Sequence, residues 1–197
     1  HRERNHRHRV AYVAFPEPKH HQREAGTTEQ ADAVAAICKV ALGHRRRPLV
    51  LLADRGCGKS AALGIAAAQL ATLGKQRILL TAPAKAQTTT ALSHFFSNCT
   101  GDAQQVLQFM AIDDLIRNKP SADLLLVDEA AAIPTPLLQQ LLACYSRIVF
   151  ASTEHGYEGT GHGFKLRFQA YLNQHSPQWR QLRLHQPIRY RQHDPLE

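Results

Sequence analysis

The fold of this chain is decided by the stretch PLVLLADRGCGKSAALG, residues 48–64. Its first part is continuously apolar, as a buried strand is, and its last part is rich in helix-forming alanine. The turn between them, from Ala53 to Ser60, follows the phosphate-binding pattern G-x-x-x-x-G-K-[ST], with alanine at the first position. Alanine is acceptable there if the residue has a negative φ. A strand, a glycine-bearing turn and a helix in this order predict a nucleotide-binding loop.

The residue types of this loop suit phosphate chemistry. Inward-pointing backbone N–H groups bind phosphate oxygens, and the start of the following helix adds a partial positive charge. Lys59 is expected to reach the β- and γ-phosphates, and the Ser60 hydroxyl is expected to bind Mg²⁺. The residues predicted to contact the nucleotide from this loop are Arg55, Gly56, Cys57, Gly58, Lys59, Ser60 and Ala61.

Length and composition indicate a globular protein with an affinity for polyanions. The chain has 197 residues, 44% of them hydrophobic, and a formal net charge of +8. This size suits one large domain, and the positive charge favours nucleic acid as a partner. Part of the charge lies in the two ends of the chain, so it is supporting rather than decisive. Because the sequence begins without methionine, we expect it to be a piece of a longer protein.

The cysteines and the hydropathy bear on the compartment. The four cysteines are widely spaced and form no C-x-x-C pair, which argues against a zinc site and for a reducing compartment. No apolar run reaches the roughly 18 residues of a membrane span, and no signal peptide is present. We therefore expect a cytoplasmic protein.

Short apolar segments alternate with helical ones along the chain, which predicts βαβ units. Continuously apolar strands are typical of a mostly parallel sheet with helices on both faces, a three-layer α/β fold. In such sheets ligands bind at the carboxyl ends of the strands, where the phosphate-binding loop lies. The predicted strands are Leu49–Ala53, Arg77–Thr81, Val106–Met110, Leu124–Asp128, Ile148–Ser152 and Gln181–Leu184. The predicted helices are Thr27 to Leu42, Lys59–Leu73, Lys85–Asn98, Ile112–Asn118, Pro136–Tyr145 and Phe164–Asn173.

A second acidic motif follows the fourth predicted strand. Residues 124–129 read LLLVDE, which brings two carboxylates to the same sheet edge as the phosphate-binding loop. Asp128 is expected to hold Mg²⁺ through water, and Glu129 to orient or deprotonate the attacking water. Alone this pair is a weak signal, but downstream of a phosphate-binding loop it favours hydrolysis over mere binding. At the end of the next strand, Ser152 and Thr153 are both candidates to sense the γ-phosphate, or hydroxyls that bond the local backbone.

Three further segments have two interpretations each. Gln30 either contacts adenine or forms a capping box with Thr27 at the start of the first helix. The run Thr81-Ala82-Pro83 either touches a nucleic-acid backbone or is a strand-ending turn fixed by proline. Arg189, with Arg191 as the alternative, either stabilises transition-state charge or belongs to a basic tail.

Together these motifs resemble those of the bacterial tRNA(Met) cytidine acetyltransferases. The resemblance is carried by residues 53–60, by VDEAAAIP at 127–134, by STEHGYEGTG at 152–161, and by PIRY and DPLE near the end. It covers about residues 27–197. The run GYEGTG at 156–161 is the most specific part, because generic helicases lack it. From its glycine content we expect it to be a mobile loop that couples nucleotide state to RNA or to an acetyltransferase domain.

The resemblance implies a fold, an activity and partners. It implies a RecA-like P-loop NTPase of the RecD helicase type at residues 27–180, preceded by a linker or peripheral segment at 1–26. Residues 181–197 would hold the last strand and the junction toward an acetyltransferase domain. The whole enzyme would use acetyl-CoA and ATP or GTP with Mg²⁺ to acetylate N4 of the wobble cytidine in elongator tRNA(Met). This chain would carry the NTPase part only, would bind the tRNA through a basic surface, and is expected to be a monomer.

Two positions depart from the pattern of that family. Cys57 replaces an expected arginine, which removes a charge near the phosphates, introduces an oxidisable thiol and predicts lower nucleotide affinity. His162 replaces a more basic residue. The alternative functions are an NTP-dependent interaction switch with little turnover and a fragment of a superfamily 1 DNA helicase.

Overall fold

The computed structural model of the chain describes residues 28–154 and 159–185. Their centre is a six-stranded sheet in the order β3-β2-β4-β5-β1-β6, and every strand pairing is parallel. The strands are β1 (Leu49–Ala53), β2 (Ile78–Thr81), β3 (Leu107–Phe109), β4 (Leu124–Val127), β5 (Ile148–Thr153) and β6 (Arg180–Leu184). All carboxyl ends therefore meet at one edge and all amino ends at the other.

Helices cover both faces of the sheet, as the alternating pattern predicts. They are α1 (Thr28–Leu42), α2 (Lys59–Thr72), α3 (Thr89–Asn98), α4 (Ile112–Asn118), α5 (Thr135–Cys144) and α6 (Gly159–His175). Short 3₁₀ turns lie at Lys85–Thr88, Gly101–Gln105 and Ala130–Ala132. Helices α1 to α3 pack on one face and α4 to α6 on the other. The predicted three-layer α/β/α architecture is confirmed.

The apolar side chains of each strand divide between two cores, because successive strand residues point to opposite faces. In β1, Leu49 and Leu51 join the core beneath α1 to α3, whereas Val50 and Leu52 join the core beneath α4 to α6. All five residues of β1 are buried. A strand buried on both sides has no polar face, which is why its sequence is continuously apolar.

The third predicted helix begins later than expected. The segment predicted as one helix from Lys85 to Asn98 begins with a 3₁₀ turn, and α3 proper starts at Thr89. The Thr88 hydroxyl donates to the Lys85 carbonyl at 2.6 Å, and the Ala84 N–H donates to Gln87 Oε1 at 3.0 Å. These local side-chain bonds compete with the α-helical pattern at this point.

The glycine-rich run was expected to be a loop as far as Gly161, and this is wrong for its last three residues. Helix α6 begins at Gly159, and residues 155–158 lie outside the described part of the chain. Glycine costs a helix roughly 1 kcal/mol relative to alanine, but Phe168 and Leu172 on α6 are almost fully buried. Phe168 also meets Phe150 edge to face at 4.8 Å. These contacts anchor the helix further along, and its extension to Gly159 needs no new nucleus.

All four cysteines and every helix listed above lie in the described part of the chain. All four cysteines are free, three of them buried and Cys144 exposed. Within residues 28–154 and 159–185, no helix combines the length and the apolar character that crossing a membrane requires.

Candidate nucleotide-binding site

The phosphate-binding loop joins the carboxyl end of β1 to the start of α2. Gly56 and Gly58 have positive φ values of 82° and 78°, which glycine adopts without strain. A Cβ at Gly56 would meet no atom within 4 Å, so the backbone angle rather than crowding requires glycine there. Ala53 is the buried last residue of β1 and is not among the residues with positive φ. The substitution of alanine for the first glycine of the pattern is therefore accommodated.

The start of α2 leaves its N–H groups available. Gly58 is the N-cap and forms no side-chain capping bond, and the first helical bond runs from the Ala62 N–H to the Gly58 carbonyl at 2.9 Å. The preceding N–H groups, of Lys59, Ser60 and Ala61, have no acceptor within the helix. Such N–H groups and the helix dipole together favour an anion at this position.

Lys59, Asp128 and Glu129 form a compact charged cluster. The Lys59 Nζ atom lies 2.7 Å from Asp128 Oδ1 and 2.5 Å from Glu129 Oε1. Ser60 Oγ donates to the other Asp128 oxygen, Oδ2, at 2.7 Å. Lys59 and Asp128 are 69 positions apart in the sequence. The motifs at 53–60 and 124–129 thus meet at one point.

Most of the cluster is buried. The side chains of Lys59 and Asp128 are 7% and 0% exposed, whereas that of Glu129 is 31% exposed. The Glu129 backbone is left-handed, with φ 51°, and its N–H donates to Asp128 Oδ1 at 2.9 Å. This turn directs Asp128 inward and leaves Glu129 at the rim of the cleft.

The donor set suits Mg²⁺. Hydroxyl and carboxylate oxygens are the ligands that this ion prefers, usually with several waters and substrate phosphates. Ser60 Oγ and Asp128 Oδ2 already lie within 2.7 Å of each other, so one ion can be reached from both residues. Lys59 balances the charge of the two carboxylates, and a phosphate group would give it an alternative partner.

A cleft of about 290 Å³ lies over the loop. Glu129 and Thr153 line it together with the loop; their contacts with a nucleotide stay predictions. Thr90 and His94 on α3 also line it, although no sequence motif marks either residue. They are four residues apart and share a helix face, but nothing in the sequence says that α3 packs beside the loop.

The two candidate residues at the end of β5 have different surroundings. Ser152 is 3% exposed, and its Oγ accepts a bond from the Ala131 N–H at 3.3 Å. Thr153 is half-buried and faces the cleft. The Ser152 hydroxyl therefore bonds the backbone of the turn that follows β4, whereas Thr153 lines the cleft.

Gln30 on α1 lies against the loop, and its Nε2 donates to the Gly58 carbonyl at 3.5 Å. Its neighbour Glu29 accepts a bond from the His185 N–H at 2.8 Å, so the start of α1 is tied to the end of β6. Thr27, its partner in the alternative capping box, lies outside the described residues, and adenine contact by Gln30 stays a prediction.

Cys57 is buried within the loop at 2% exposure. Burial, followed by the charges of Asp54 and Glu29, raises the pKa of its thiol above the ordinary value. A thiol with a raised pKa holds little thiolate at neutral pH, and the thiolate is the form that is oxidised or alkylated. The environment thus protects the thiol that the sequence alone marks as oxidisable.

Some of the remaining predicted residues lie outside the described part of the chain. Arg189, Arg191, Tyr157 and Glu158 all lie there. The segment 81–83 ends β2, and the Thr81 hydroxyl is buried with no hydrogen-bond partner among the described residues. Pro83 borders a groove of about 510 Å³ at the carboxyl edge of the sheet.

Comparison with known proteins identifies the family of the chain. Residues 50–197 match the family "RNA cytidine acetyltransferase NAT10/TcmA, helicase domain". The tRNA(Met) cytidine acetyltransferase TmcA of Vibrio cholerae is 50% identical over 86% of this chain and 25% of its own length. That of Nitrosococcus halophilus is 51% identical over 87% of this chain and 24% of its own length. The chain thus spans about a quarter of these relatives.

Solved structures agree on the fold. A large terminase from a thermophilic bacteriophage has a TM-score of 0.58 at 15% identity, over 82% of this chain and 46% of the terminase. A SWI2/SNF2 ATPase core from Sulfolobus solfataricus has a TM-score of 0.50 at 15% identity, over 81% of this chain and 44% of that core. These likenesses support the predicted RecA-like P-loop architecture. With the family match and the two relatives, the result is plain: the chain belongs to the helicase-domain family of the bacterial tRNA(Met) cytidine acetyltransferases.

Proposed function

We propose that this chain binds ATP or GTP together with Mg²⁺ and hydrolyses it. The observation that carries the proposal is the cluster of Lys59, Ser60, Asp128 and Glu129 at the mouth of an uncapped helix start. A phosphate-binding loop alone would support binding. The second carboxylate, Glu129, is half-exposed at the rim of the cleft, which is where an attacking water has to be held.

Each residue has a distinct role in this mechanism. The N–H groups of residues 55–61 bind the phosphate oxygens, and Lys59 exchanges its carboxylate partners for the β- and γ-phosphates. Ser60 and Asp128 hold Mg²⁺, the latter through water. When bound, the ion withdraws charge from the phosphates. Glu129 orients the attacking water and accepts its proton.

Three more residues complete the proposed site. Thr153 contacts the γ-phosphate from the end of β5, where it already lines the cleft. Gln30 contacts adenine from α1, where its amide already lies against the Gly58 carbonyl. Arg189 stabilises the charge that develops on the transferred phosphoryl group.

We place this activity within a larger reaction, by analogy with relatives named as tRNA(Met) cytidine acetyltransferases. In that reaction N4-acetylcytidine forms at the wobble position of elongator tRNA(Met), with acetyl-CoA as acetyl donor and NTP hydrolysis as the accompanying step. The acetyltransferase domain of the same protein carries out the acetyl transfer, and this chain supplies the NTPase. The setting is the cytoplasm, and the module acts as a monomer.

The test is nucleotide hydrolysis by the chain with and without elongator tRNA(Met). We expect Mg²⁺-dependent release of phosphate from ATP or GTP, and a higher rate with the tRNA. Tight nucleotide binding without turnover in either condition would instead support the interaction switch. Equal stimulation by single-stranded DNA and by tRNA would support a DNA helicase fragment.

A further inference from the structure

The amino-terminal edge of the sheet, opposite the nucleotide site, carries a concentration of positive charge. Because the strands are parallel, the residues that precede or begin them all lie at this edge. Seven basic residues occur there, in front of or at the start of β1, β2, β5 and β6: Arg45, Arg46, Arg47, Lys75, Arg77, Arg147 and Arg180. Neighbouring strands are about 4.8 Å apart, so the row from β2 to β6 is roughly 19 Å long.

Few carboxylates balance this row. Asp123, just before β4, accepts bonds from the Gln76 and Arg77 N–H groups at 2.8 and 3.1 Å. Burial alone would raise the pKa of Asp123, but these N–H groups, followed by the charges of Lys75 and Arg147, outweigh burial and lower it. Its charge is therefore already engaged. Asp102 borders the same end of the row.

Some of the basic groups have a structural use. Helices run back to this edge, and cations suit helix C-termini. Arg147 donates to the Gly43 carbonyl beyond α1 at 3.1 and 3.3 Å, and Arg47 donates to Gln178 at 2.8 Å. By contrast, Arg45 and Arg180 are exposed, and neither guanidinium has an ion pair or a hydrogen bond to any residue that the structure describes.

The opposite edge differs in charge pairing. At the carboxyl edge, Lys59 is paired with Asp128 and Glu129, while Lys165 and Arg183 are both paired with Glu154. Arg55 and Lys85, also at the carboxyl edge, are exposed and have no ion pair among the described residues. The amino-terminal edge is therefore distinguished by the length of its basic row, which crosses four strands.

Aromatic rings lie beside the same row. A cavity of about 300 Å³ is lined by Arg46, Tyr171 and His175, among others. The rings of Tyr171 and His175 stack at 4.1 Å, and His175 is exposed. Arg46 has φ 63°, and its N–H is bound to the Ser146 carbonyl at 2.8 Å, so the backbone that carries its guanidinium is fixed at the rim.

We propose that this amino-terminal edge is an RNA-binding surface, with Arg45 and Arg180 on the phosphates and the Tyr171–His175 stack receiving an unpaired base. Guanidinium groups beside aromatic rings suit single-stranded RNA, since phosphates pair with the cations and bases stack on the rings. An acidic polypeptide would use the cations and leave the rings idle. The inference rests on the proposed function in taking RNA as the partner, and it locates the RNA away from the nucleotide cleft.

The first test measures the anisotropy of fluorescein-labelled elongator tRNA(Met) titrated with the chain. The variant is the double substitution Arg45→Gln and Arg180→Gln. Its control is Lys85→Gln with Arg167→Gln, which removes the same charge from exposed residues elsewhere. Each phosphate contact contributes a slope of about 0.7–0.9 in log K against log salt. Two lost contacts thus reduce the slope by about 1.4–1.8 and weaken binding roughly 25- to 60-fold at 0.1 M salt.

The second variant, Tyr171→Leu, separates RNA from an acidic polypeptide. We expect it to weaken tRNA binding at least about fivefold without changing the salt slope, and to leave binding of a polyglutamate probe unchanged. Three results would overturn the proposal. The first two are a loss of tRNA affinity in the Lys85/Arg167 control that equals or exceeds the loss in the Arg45/Arg180 variant. The third is polyglutamate binding as tight as tRNA binding.

ATP hydrolysis without RNA provides an independent readout. None of these substitutions touches the nucleotide cleft, so we expect all variants to retain the basal rate. If tRNA stimulates hydrolysis in both double variants alike, the proposed function stands and this surface is wrong. If the chain binds tRNA through Arg45 and Arg180 but hydrolyses no NTP, the surface stands and the proposed function is wrong.

Discussion

Gly64 lies where α2 packs against α3, and its surroundings leave no room for a side chain. A Cβ at this position would be 2.1 Å from the Ala91 carbonyl oxygen and 2.9 Å from the Phe95 nitrogen. Both are backbone atoms, so relief requires α2 and α3 to separate by about 1 Å. Helix α2 begins with Lys59 in the phosphate-binding loop, so this movement also disturbs the nucleotide site.

We predict that Gly64→Ala destabilises the chain. Overpacking of a rigid contact costs about 1–3 kcal/mol or more, and the 2.1 Å approach indicates the upper end of that range. Alanine returns about 1 kcal/mol through helix propensity, which leaves a net loss of about 2 kcal/mol. In a domain of this size that lowers Tm by roughly 4–8 °C.

The matched control is Gly163→Ala in α6. There a Cβ would meet only the Arg167 guanidinium, at 3.7 Å or beyond, so the propensity gain of about 0.5–1 kcal/mol remains. Thermal unfolding of both variants is followed by circular dichroism. A Gly64→Ala variant that is as stable as Gly163→Ala would refute the reasoning.

Three further predictions concern ionisable groups. Lys59→Met leaves the buried Asp128 without its cation, so we expect a loss of about 3 kcal/mol in urea unfolding without nucleotide; an unchanged midpoint would contradict this. Burial alone would raise the pKa of Asp123, but two N–H groups and two cations lower it below the ordinary 3.8. Its ionised form therefore stabilises the fold above that pH, and this stabilisation is lost as pH falls through the lowered pKa. The difference in free energy of unfolding between wild type and Asp123→Asn should therefore shrink in acid, and a constant difference would contradict this. Iodoacetamide at pH 8 should label exposed Cys144 well before Cys57, and mass spectrometry showing the reverse order would argue against the raised pKa.

Much of the fold follows from local pattern because each strand is buried on both faces. Every predicted strand occurs within two residues of its expected bounds, and helix α4 matches its expected bounds. The pairing of Lys59 and Ser60 with Asp128 could also be anticipated, because parallel strands bring their carboxyl ends to one edge. The pattern of apolar strands thus predicts both the parallel sheet and the edge at which the two motifs meet.

The features that were missed depend on packing between distant elements. His94 enters the cleft only because α3 packs closely on α2 at Gly64, and no local signal reports that contact. Helix α6 extends back to Gly159 as the continuation of a helix that is anchored in the core at Phe168, since propagation needs no new nucleus. The buried state of Cys57 likewise comes from the tertiary surroundings of the loop.

The central claim is that Glu129 turns a nucleotide-binding loop into a hydrolase. The direct measurement is single-turnover ATP hydrolysis with saturating Mg²⁺ by wild type, Glu129→Gln, and Asp32→Asn, which alters an exposed carboxylate on α1. ATP binding by the three proteins is measured in parallel. We predict that Glu129→Gln lowers the rate at least about 100-fold while its ATP affinity and the rate of Asp32→Asn stay near the wild-type values. Hydrolysis by Glu129→Gln at the wild-type rate would contradict the account.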